Sequence, residues 1–243
     1  MDKTAKIRLY VDAELGAGQP VAVTKDQAHY LFGVMRLKTG AMVALFNGRD
    51  GEWQAEVTVA NKRNAVLECC RQSKPLQMPP DLWLLFAPIK KARTDFIVEK
   101  AAEMGAARIC PVVTEFTQSE RMRQDRLQAH AVEAAEQCGG TYVPEVADLT
   151  KLDKLLADWP ADRQLLFCDE TRVGEPATDL AGLPAGPWAI LIGPEGGFSP
   201  SEVAHLRGLA FTHSVSLGPR ILRADTAAVA ALALWQRALG DWI

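Results

Sequence analysis

The feature that most constrains the fold is a regular alternation of apolar, strand-like runs with helix-like segments after residue 81. In chain order the first of these are "LWLLFAP" (82–88), "TDFIVEKAAEMG" (94–105), "ARICPVV" (107–113) and "DRLQAHAVEAAEQCG" (125–139). The later ones are "KLDKLLADW", "QLLFC", "WAILI", the segment after Ser199, "THSVSL" and a last helix from about Asp225 to Leu239. Such alternation is typical of a parallel sheet covered by helices. The sequence therefore predicts an α/β domain.

Up to about residue 75 the pattern is different, because short strand-like runs follow one another with turn signals between them. The runs are "RLYV", "QPVAV", "AMVALF", "EWQAEVTVA" and "NAVLECC", with one helix-like piece, "DQAHYLFGVMRLKTG", after the second. Asn47-Gly48 and Asp50-Gly51 stand between two runs, and these residue types tolerate the positive φ of hairpin turns. This part of the chain is predicted to form a small β-barrel.

A proline-rich segment, "RQSKPLQMPPD" (71–81), separates the two patterns and has neither the strand nor the helix period. Proline without periodicity favours a connecting segment. We therefore place a barrel domain at 1–74, a linker at 75–81 and the α/β domain at 82–243.

Charge is unevenly distributed along the chain. Residues 1–80 contain 11 Lys and Arg against 8 Asp and Glu, whereas residues 81–243 contain 16 against 22, which gives a formal net charge of −3. A basic surface attracts nucleic acid. If RNA binds, the N-terminal part is expected to meet it.

The five cysteines form neither a CxxC pair nor an even framework, so no metal site and no disulfide scaffold is predicted. The N-terminus lacks the apolar region of a signal peptide, and the longest uncharged apolar run, 227–235, is too short to span a bilayer. We expect a cytoplasmic protein with reduced, mostly buried cysteines.

The stretch "LIGPEGGFSPSE" (191–202) joins the strand-like "WAILI" to a marked helix start. Ser199 is expected to cap the helix, with Pro200 at its first position and Glu202 completing a capping box. The glycines could merely make a tight turn. The loop has no lysine of a phosphate-binding P-loop and lacks the spacing and position of a dinucleotide fingerprint, so a phosphate ligand is not expected.

A second loop of the same construction follows, in which the strand-like "SVSL" leads to Gly218-Pro219 and "RILRADTAAVAALALWQ". Ligands of open α/β sheets bind outside the carboxyl ends of strands. The two loops are therefore expected to converge on one crevice, with "LLFCDE" (165–170) as a third contributor.

These residues closely resemble a known family. "LIGPEGGFSPSE" followed by "LGPRILRADTA" (217–227) is similar to the paired signature of RsmE-type 16S ribosomal RNA uridine-N3 methyltransferases, which belong to the SPOUT superfamily. "RLYV" (8–11), "HYLFGVMRLKTG" (29–40), "KKARTDFIVEKAAEMGAARICPV" (90–112) and "AAEQCGGTYVPEV" (134–146) extend the resemblance over nearly the whole chain. It implies a PUA-like barrel followed by an α/β domain with a deep trefoil knot, S-adenosylmethionine as methyl donor, 16S rRNA within the small ribosomal subunit as substrate, and a homodimer.

The resemblance also implies which residues surround the donor. They are Glu170, Leu191, Gly193, Pro194, Glu195, Gly196, Gly197, Leu217, Gly218, Ile221, Leu222 and Thr226. Gly193 and Gly197 would permit close backbone approach, and Leu217 and Leu222 would supply an apolar wall. Glu195 would hold the ribose or favour the sulfonium charge, or else serve only as a turn residue. The donor has no phosphate, so the missing lysine agrees with it.

Arg220, Arg223 and Asp225 are the catalytic candidates that the resemblance implies. Methylation at uracil N3 requires loss of the N3 proton, and cations beside the flanking carbonyls would stabilise the anion that forms. One arginine could instead pair with Asp225, with Glu195 or with the dimer partner. The family often has Glu where this chain has Asp225, whose shorter side chain suits capping of the following helix at least as well as proton transfer.

Six basic residues are candidates for RNA binding, with solvated surface as the alternative. Arg8, His29 and Arg36 lie in the basic N-terminal part. Lys90, Lys91 and Arg93 follow the strand-like "LWLLFAP" at its carboxyl end, where ligands tend to lie.

Three other functions compete with this interpretation. A non-catalytic RNA-binding protein is disfavoured by the intact donor loops. Another activity of the same superfamily, such as ribose 2′-O methylation or tRNA modification, is disfavoured by the basic barrel and by the sequence "RILRADTA". A nucleotide-dependent oxidoreductase or kinase lacks both phosphate motifs.

Overall fold

A computed structural model describes residues 5–118 and 122–242 of the chain. They fold into two compact units. The first contains the described residues up to Met78 together with Ala135–Val143, and the second contains Pro79–Ala134 and the described residues from Pro144 onward. The domain boundaries inferred from the sequence remain a prediction, and nothing in the sequence pattern indicates that 135–143 join the first unit.

The first unit contains a mixed sheet. Its described strands are β1 (Arg8–Tyr10), β2 (Pro20–Val23), β3 (Met42–Phe46), β4 (Glu52–Val59) and β5 (Ala65–Lys74), in the order β1-β3-β4-β5-β2. Strand β1 runs parallel to β3, and the other pairs are antiparallel. Between β3 and β4, Gly48 and Gly51 have φ of +75° and +74°, as expected for the predicted hairpin.

Side chains of all five strands enter one apolar core, so the sheet is curled around it. Leu9, Val21, Leu45, Val57 and Leu67 are examples of its members. Each is at most 5% exposed. The alternation of buried and exposed residues along β2 (Pro20–Val23) follows the strand period, which explains why sequence reasoning located these strands.

Arg8 on β1 is fully engaged within this unit. Its Nε donates to the Glu52 carboxylate at 2.7 Å, and its Nη atoms donate to the carbonyls of Ala135, Glu136 and Gly140 at 2.6–2.8 Å. The guanidinium also lies 4.5 Å from the centre of the Phe46 ring. The carbonyls of Ala135 and Glu136 belong to the last turn of a helix, where a cation is favourable.

The second unit contains a parallel sheet. Its described strands are β6 (Leu82–Phe86), β7 (Arg108–Val113), β8 (Glu145–Val146), β9 (Thr150–Lys151), β10 (Gln164–Cys168), β11 (Trp188–Ile192) and β12 (Thr212–Val215). The order is β12-β10-β11-β6-β7-β8, with β9 paired to β7. Every residue of β11 is buried, as in a central parallel strand covered on both faces.

The α-helices of the described chain are α1 (Lys25–His29), α2 (Lys91–Glu103), α3 (Gln124–Cys138), α4 (Leu152–Ala157), α5 (Pro200–Gly208) and α6 (Ala224–Ala238). Gly105 and Gly139 have φ of +78° and +79° just beyond α2 and α3, which confirms them as helix stops. None of these helices has both the length and the apolar character needed to cross a membrane.

Two helix predictions need correction. The sequence predicts a helix over 26–40. In the structure helix α1 ends at His29 and a π-helical turn, Tyr30–Val34, follows it, so the helical segment ends earlier and its last turn is π-helical. Helix α2 begins at Lys91, three residues before the predicted start. The short strands β8 and β9 have two residues each and carry no periodic signal.

Candidate active site

Three neighbouring parallel strands of the second unit end at one cavity of about 500 Å³. Strand β10 lies between β11 and β12, and all three run in the same direction. Cys168 ends β10, Ile192 ends β11, and Ser216 follows the end of β12, and all three residues line the cavity. The predicted convergence of the strand-end loops is therefore present in the structure.

The cavity contains most of the predicted donor-binding residues. Those lining it are Glu170, Gly193, Pro194, Glu195, Gly197, Leu217, Gly218, Ile221 and Leu222. Leu191, Gly196 and Thr226 do not line it. Leu191 is fully buried in the apolar core of this unit, Gly196 lies beside Phe116, and Thr226 is exposed on α6.

The glycine loop after β11 is fixed at its far end by the start of α5. The Ser199 N–H donates to the Glu202 carboxylate at 2.8 Å, and the Glu202 N–H donates to the Ser199 hydroxyl at 3.3 Å. Pro200 occupies the first turn, so the predicted capping box is confirmed. The other oxygen of Glu202 accepts the N–H of Glu115 at 2.8 Å, which ties the helix start to the segment after β7.

Gly193 and Gly197 are required by contacts inside the protein. A Cβ on Gly193 would lie 2.6 Å from the ring of Phe198, which packs edge-on against Phe167. Gly197 has φ of +71°, and a Cβ there would collide with the carboxylate of Glu170. The two glycines are therefore needed for packing against Phe198 and Glu170, and the expected close approach of the donor stays a prediction.

Glu170 connects two of the strand-end loops. It follows β10 in a short 3₁₀ turn, and its Oε1 accepts the backbone N–H of Phe198 at 2.8 Å. This hydrogen bond joins the end of β10 to the glycine loop after β11. Glu195, by contrast, is an exposed cavity residue with no hydrogen bond to the rest of the described chain.

Asp169, which sequence reasoning did not select, is the most strongly held carboxylate at the cavity. Its side chain is completely buried and accepts hydrogen bonds from Arg207 Nε at 2.8 Å, Ser214 Oγ at 2.8 Å and Thr171 Oγ1 at 2.7 Å. Burial acts to raise the pKa of Asp169, but these hydrogen bonds outweigh it and hold the pKa below 3.8. The only available sequence signal was its place at the end of "LLFCDE".

Cys168 also lines the cavity, and it is chemically inert there. Burial, together with the charges of Asp169 and Glu170, raises the pKa of its thiol to about 12. A thiol with that pKa stays protonated at neutral pH, so it is not a nucleophile. Within residues 5–118 and 122–242, no three His, Cys, Asp or Glu side chains gather in a way that suits a metal ion.

Two cations, Arg220 and Arg223, line the cavity from the loop before α6. Both are exposed, and neither forms an ion pair with any described residue. The alternative of a pair with Asp225 or Glu195 is thus not what the structure shows. Their charges remain available to a ligand in the cavity.

Asp225 pairs instead with Arg93 of α2. Arg93 Nη1 lies 2.9 Å from Asp225 Oδ2, and the two side chains are 30% and 18% exposed. Helix α6 has Arg223 at its N-cap position, without a side-chain hydrogen bond, so Asp225 is not the N-cap residue. Asp225 Oδ1 nevertheless accepts the N–H of Thr226 in the first turn at 2.9 Å. Asp225 lies in the first turn and does not line the cavity.

The candidate RNA-binding residues are divided between the units. Lys90 and Arg93 line the cavity, and Lys91 is exposed at the start of α2. His29 and Arg36 are exposed on the first unit. Arg8 differs from the expectation, because its guanidinium is already bound by Glu52 and by helix carbonyls within the first unit.

The chain matches two family models. An RNA methyltransferase domain matches residues 76–236, and an RNA methyltransferase PUA domain matches residues 23–70. Among curated relatives, Ribosomal RNA small subunit methyltransferase E of Rickettsia conorii is 30% identical over 93% of each chain. The protein of the same name from Synechocystis is 31% identical over 93% of this chain and 76% of its own length.

Solved structures of similar proteins cover nearly all of the chain. A Ribosomal RNA small subunit methyltransferase E from Neisseria gonorrhoeae, bound to S-adenosylmethionine, has a TM-score of 0.84 at 27% identity and covers 98% of this chain and 99% of its own. A methyltransferase from Legionella pneumophila, in complex with the same cofactor, has a TM-score of 0.85 at 29% identity and covers 98% and 100%.

Proposed function

The chain belongs to the ribosomal RNA small subunit methyltransferase E family, and on that premise we propose that it transfers a methyl group from S-adenosylmethionine to N3 of a uridine in 16S rRNA. Its fold is the SPOUT-type α/β fold preceded by a PUA-like domain. The observation that carries the proposal is one cavity, formed by three strand-end loops, that contains two arginines without an ion pair in the described chain. The deep trefoil knot of the family stays a prediction.

The cavity suits the donor in size and chemistry. Small-molecule sites commonly enclose roughly 300–1,000 Å³, and this one encloses about 500 Å³. Apolar side chains such as Leu217 and Leu222 lie beside backbone groups of the loops and the carboxylates of Glu170 and Glu195. Adenine, ribose and an amino-acid end need such a mixture, and none of them needs a phosphate-binding lysine.

We assign different tasks to the two exposed carboxylates. Glu170 is already committed to the Phe198 N–H, so it holds the glycine loop in shape. Glu195 has no partner in the described chain, so its carboxylate is available to the ribose or to the positive sulfonium. When bound, S-adenosylmethionine supplies an electrophilic methyl group.

Arg220 and Arg223 lower the cost of removing the N3 proton. The negative charge of a deprotonated uracil spreads over the carbonyl oxygens on either side of N3. Two guanidinium groups that line the cavity, without a partner among the described residues, can hydrogen-bond those oxygens as the charge develops. Lys90 at the start of α2 adds a further positive charge to the cavity, and Arg93, which also lines it, is paired with Asp225.

Arg93 and Asp225 act as a positioning pair in this proposal. The pair joins the first turn of α2 to the first turn of α6, directly after the loop that carries Arg220 and Arg223. It fixes where that loop ends. Asp225 is therefore assigned to support the arginines, and proton acceptance from N3 is the alternative role for its carboxylate.

We also propose that the substrate is the assembled small ribosomal subunit and that the protein acts as a homodimer. Helix α6 is rich in alanine and carries an exposed Leu234, 39% accessible, which would allow a close helical neighbour. Size-exclusion chromatography with light scattering measures the oligomeric state. Methylation of free 16S rRNA compared with assembled subunits identifies the substrate form.

The decisive experiment analyses ribosomal RNA nucleosides by mass spectrometry. RNA from a strain that lacks the protein is compared with RNA from the same strain complemented by wild type or by the Arg220→Ala and Arg223→Ala double variant. We expect 3-methyluridine to disappear on deletion and to return only with wild type. Unchanged 3-methyluridine would overturn the proposal, and loss of 2′-O-methyluridine alone would favour the ribose-methylating alternative.

A further inference from the structure

The segment that follows β2 in the first unit forms an unusual turn. Helix α1 passes into the π-helical turn Tyr30–Val34, in which the Met35 N–H donates to the Tyr30 carbonyl at 2.9 Å. In such a turn, residues four and five positions apart lie on the same side. Tyr30, Val34 and Met35 therefore share one face of the segment, and we call these three side chains the Tyr30 patch.

The Tyr30 patch faces away from the core. On the opposite side, Ala28 and Leu31 are fully buried. Tyr30, Val34 and Met35 are 40%, 59% and 43% exposed. A group of large apolar side chains on the surface of a small domain is a recognised mark of a binding surface.

Cations border this patch. The cations are Arg36 and Lys38, which are exposed and form no ion pair with a described residue, and the exposed His29 directly precedes Tyr30. The imidazole of His29 lies over the backbone of Gly33, where a Cβ would come within 2.9 Å of its Nδ1. The absence of a side chain at Gly33 thus leaves room for the His29 ring.

Arg36 is the one non-glycine residue of the described chain with a positive φ, at 56°. It directly follows Met35, and the Leu37 N–H returns to the Leu31 carbonyl at 3.0 Å. Glycine is the usual residue where a helix ends in this conformation, because a side chain there costs about 1 kcal/mol. A non-glycine residue held in this conformation supports a functional hypothesis for Arg36.

We propose that the Tyr30 patch binds an unpaired nucleotide of the RNA substrate. The base stacks on the Tyr30 ring against Val34 and Met35, and Arg36 and Lys38 bind the adjoining phosphates. Single-stranded RNA is recognised by aromatic stacking combined with positive charge, whereas the bases of a duplex are not accessible to such stacking. The inference rests on the proposed function, because it takes RNA as the substrate.

Asp26 indicates on which side of Tyr30 the RNA backbone is expected to lie. It is exposed and lies four residues before Tyr30, on the α1 side of the patch. A carboxylate repels phosphate, so the RNA backbone is expected to leave Tyr30 toward Arg36 and Lys38. Asp26→Asn is accordingly expected to strengthen binding.

The first test measures binding of a fluorescein-labelled oligouridylate to the full chain by fluorescence anisotropy. Tyr30→Ala is expected to weaken binding about tenfold, and Tyr30→Phe to retain wild-type affinity because the ring remains. Val59→Ala is the matched control, since Val59 is an exposed apolar residue of the same unit at 47%. Annealing the probe to oligoadenylate is expected to remove the difference between wild type and Tyr30→Ala.

Two results of that experiment would overturn the proposal. One is an unchanged affinity of Tyr30→Ala. The other is an equal loss in Tyr30→Phe, which would assign the effect to the hydroxyl. If the first result is accompanied by a change in self-association in size-exclusion chromatography, the patch instead serves a second copy of the chain.

The second test uses Arg36→Gly, which removes the cation and relieves the strained backbone. RNA affinity is expected to fall. The slope of a plot of log K against the logarithm of the salt concentration is expected to become shallower by about one. The melting temperature is expected to remain the same or to rise, since glycine accepts this conformation. Unchanged affinity would contradict the phosphate contact. Arg63→Ala, in the turn between β4 and β5, serves as the cation control.

The failure of this inference can be told apart from failure of the proposed function. Donor affinity and methylation of small subunits are measured on the same proteins. A wild type that methylates no RNA contradicts the proposed function. A wild type that methylates small subunits, together with a Tyr30→Ala variant of equal KM, contradicts the Tyr30 patch alone.

Discussion

The carboxylate of Glu170 accepts the backbone N–H of Phe198 at 2.8 Å and thereby joins the end of β10 to the glycine loop after β11. Glu170→Ala removes the acceptor and is expected to weaken S-adenosylmethionine binding about tenfold, because a hydrogen bond to a charged group is lost. Glu170→Gln keeps an acceptor oxygen and should retain most of the affinity. Isothermal titration calorimetry measures both, and an equal loss in Glu170→Gln would indicate that the charge contacts the donor directly.

The buried Asp169 gives stability a defined dependence on pH. Its pKa in the folded protein is below the ordinary value of 3.8, so ionised Asp169 stabilises the fold above that pH. The contribution is lost as the pH falls from about 4 through the folded pKa. Asp169→Asn is expected to lower the free energy of unfolding at neutral pH by about 2 kcal/mol, less than for a fully buried pair because Arg207 is half exposed.

Urea denaturation at several pH values between 3 and 7 checks this prediction. The free energy of unfolding of the variant is expected to fall less steeply than that of wild type as the pH decreases. Asp179→Asn is a suitable control, since Asp179 lies in an exposed segment of the same unit and pairs with no basic residue of the described chain. Parallel pH profiles of wild type and Asp169→Asn would contradict the assignment.

Arg220 and Arg223 are expected to act on catalysis with little effect on donor affinity. Alanine at either position should lower kcat/KM by about 10²-fold or more, which is typical for removal of one group that stabilises developing charge. The donor Kd should change little. Single-turnover methylation and calorimetry provide the two values, and Arg237→Ala on α6 is the control. A large change in donor Kd would indicate that the arginines contact the donor and not the uracil.

Variants of the Arg93–Asp225 pair distinguish a positioning role of Asp225 from a role in proton transfer. If it only positions the loop, Arg93→Ala and Asp225→Asn lower kcat by similar amounts, and their effects on stability are coupled by about 0.5–1 kcal/mol in a double-mutant cycle. If Asp225 accepts the N3 proton, Asp225→Asn alone lowers kcat by roughly 10²-fold to 10⁴-fold. We expect the first result. Methylation rates and urea denaturation of the two variants and their combination distinguish them.

Thiol chemistry should distinguish the five cysteines. Cys70 and Cys138 are exposed, whereas Cys69, Cys110 and Cys168 are buried, with the pKa of Cys110 raised to about 11 and that of Cys168 to about 12. Iodoacetamide at pH 8 is expected to modify the exposed two and to leave donor binding unchanged. Peptide mass spectrometry identifies the modified residues. Rapid alkylation of Cys168 would show that the cavity wall opens.

Local patterns in the sequence predicted the parallel strands and the start of α5, because burial on both faces and helix capping depend on neighbouring residues. The Ser199–Glu202 box is an example. Contacts between distant residues have no such signature. Arg207 and Asp169 are 38 positions apart, and Arg93 and Asp225 are 132 apart, so neither pair was predicted. The same holds for Gly193, whose neighbour in space is the ring of Phe198.

The engagement of Arg8 by the carbonyls of Ala135, Glu136 and Gly140 limits how this gene can be divided. Those acceptors are encoded more than 120 codons downstream of Arg8, beyond the start of the second unit. A fragment that stops at Met78 would contain every described strand of the first sheet and still leave the guanidinium without three of its acceptors. Recombination between relatives would therefore have to exchange the segment at 135–143 together with the N-terminal strands, so the two parts of the gene are expected to be inherited as one.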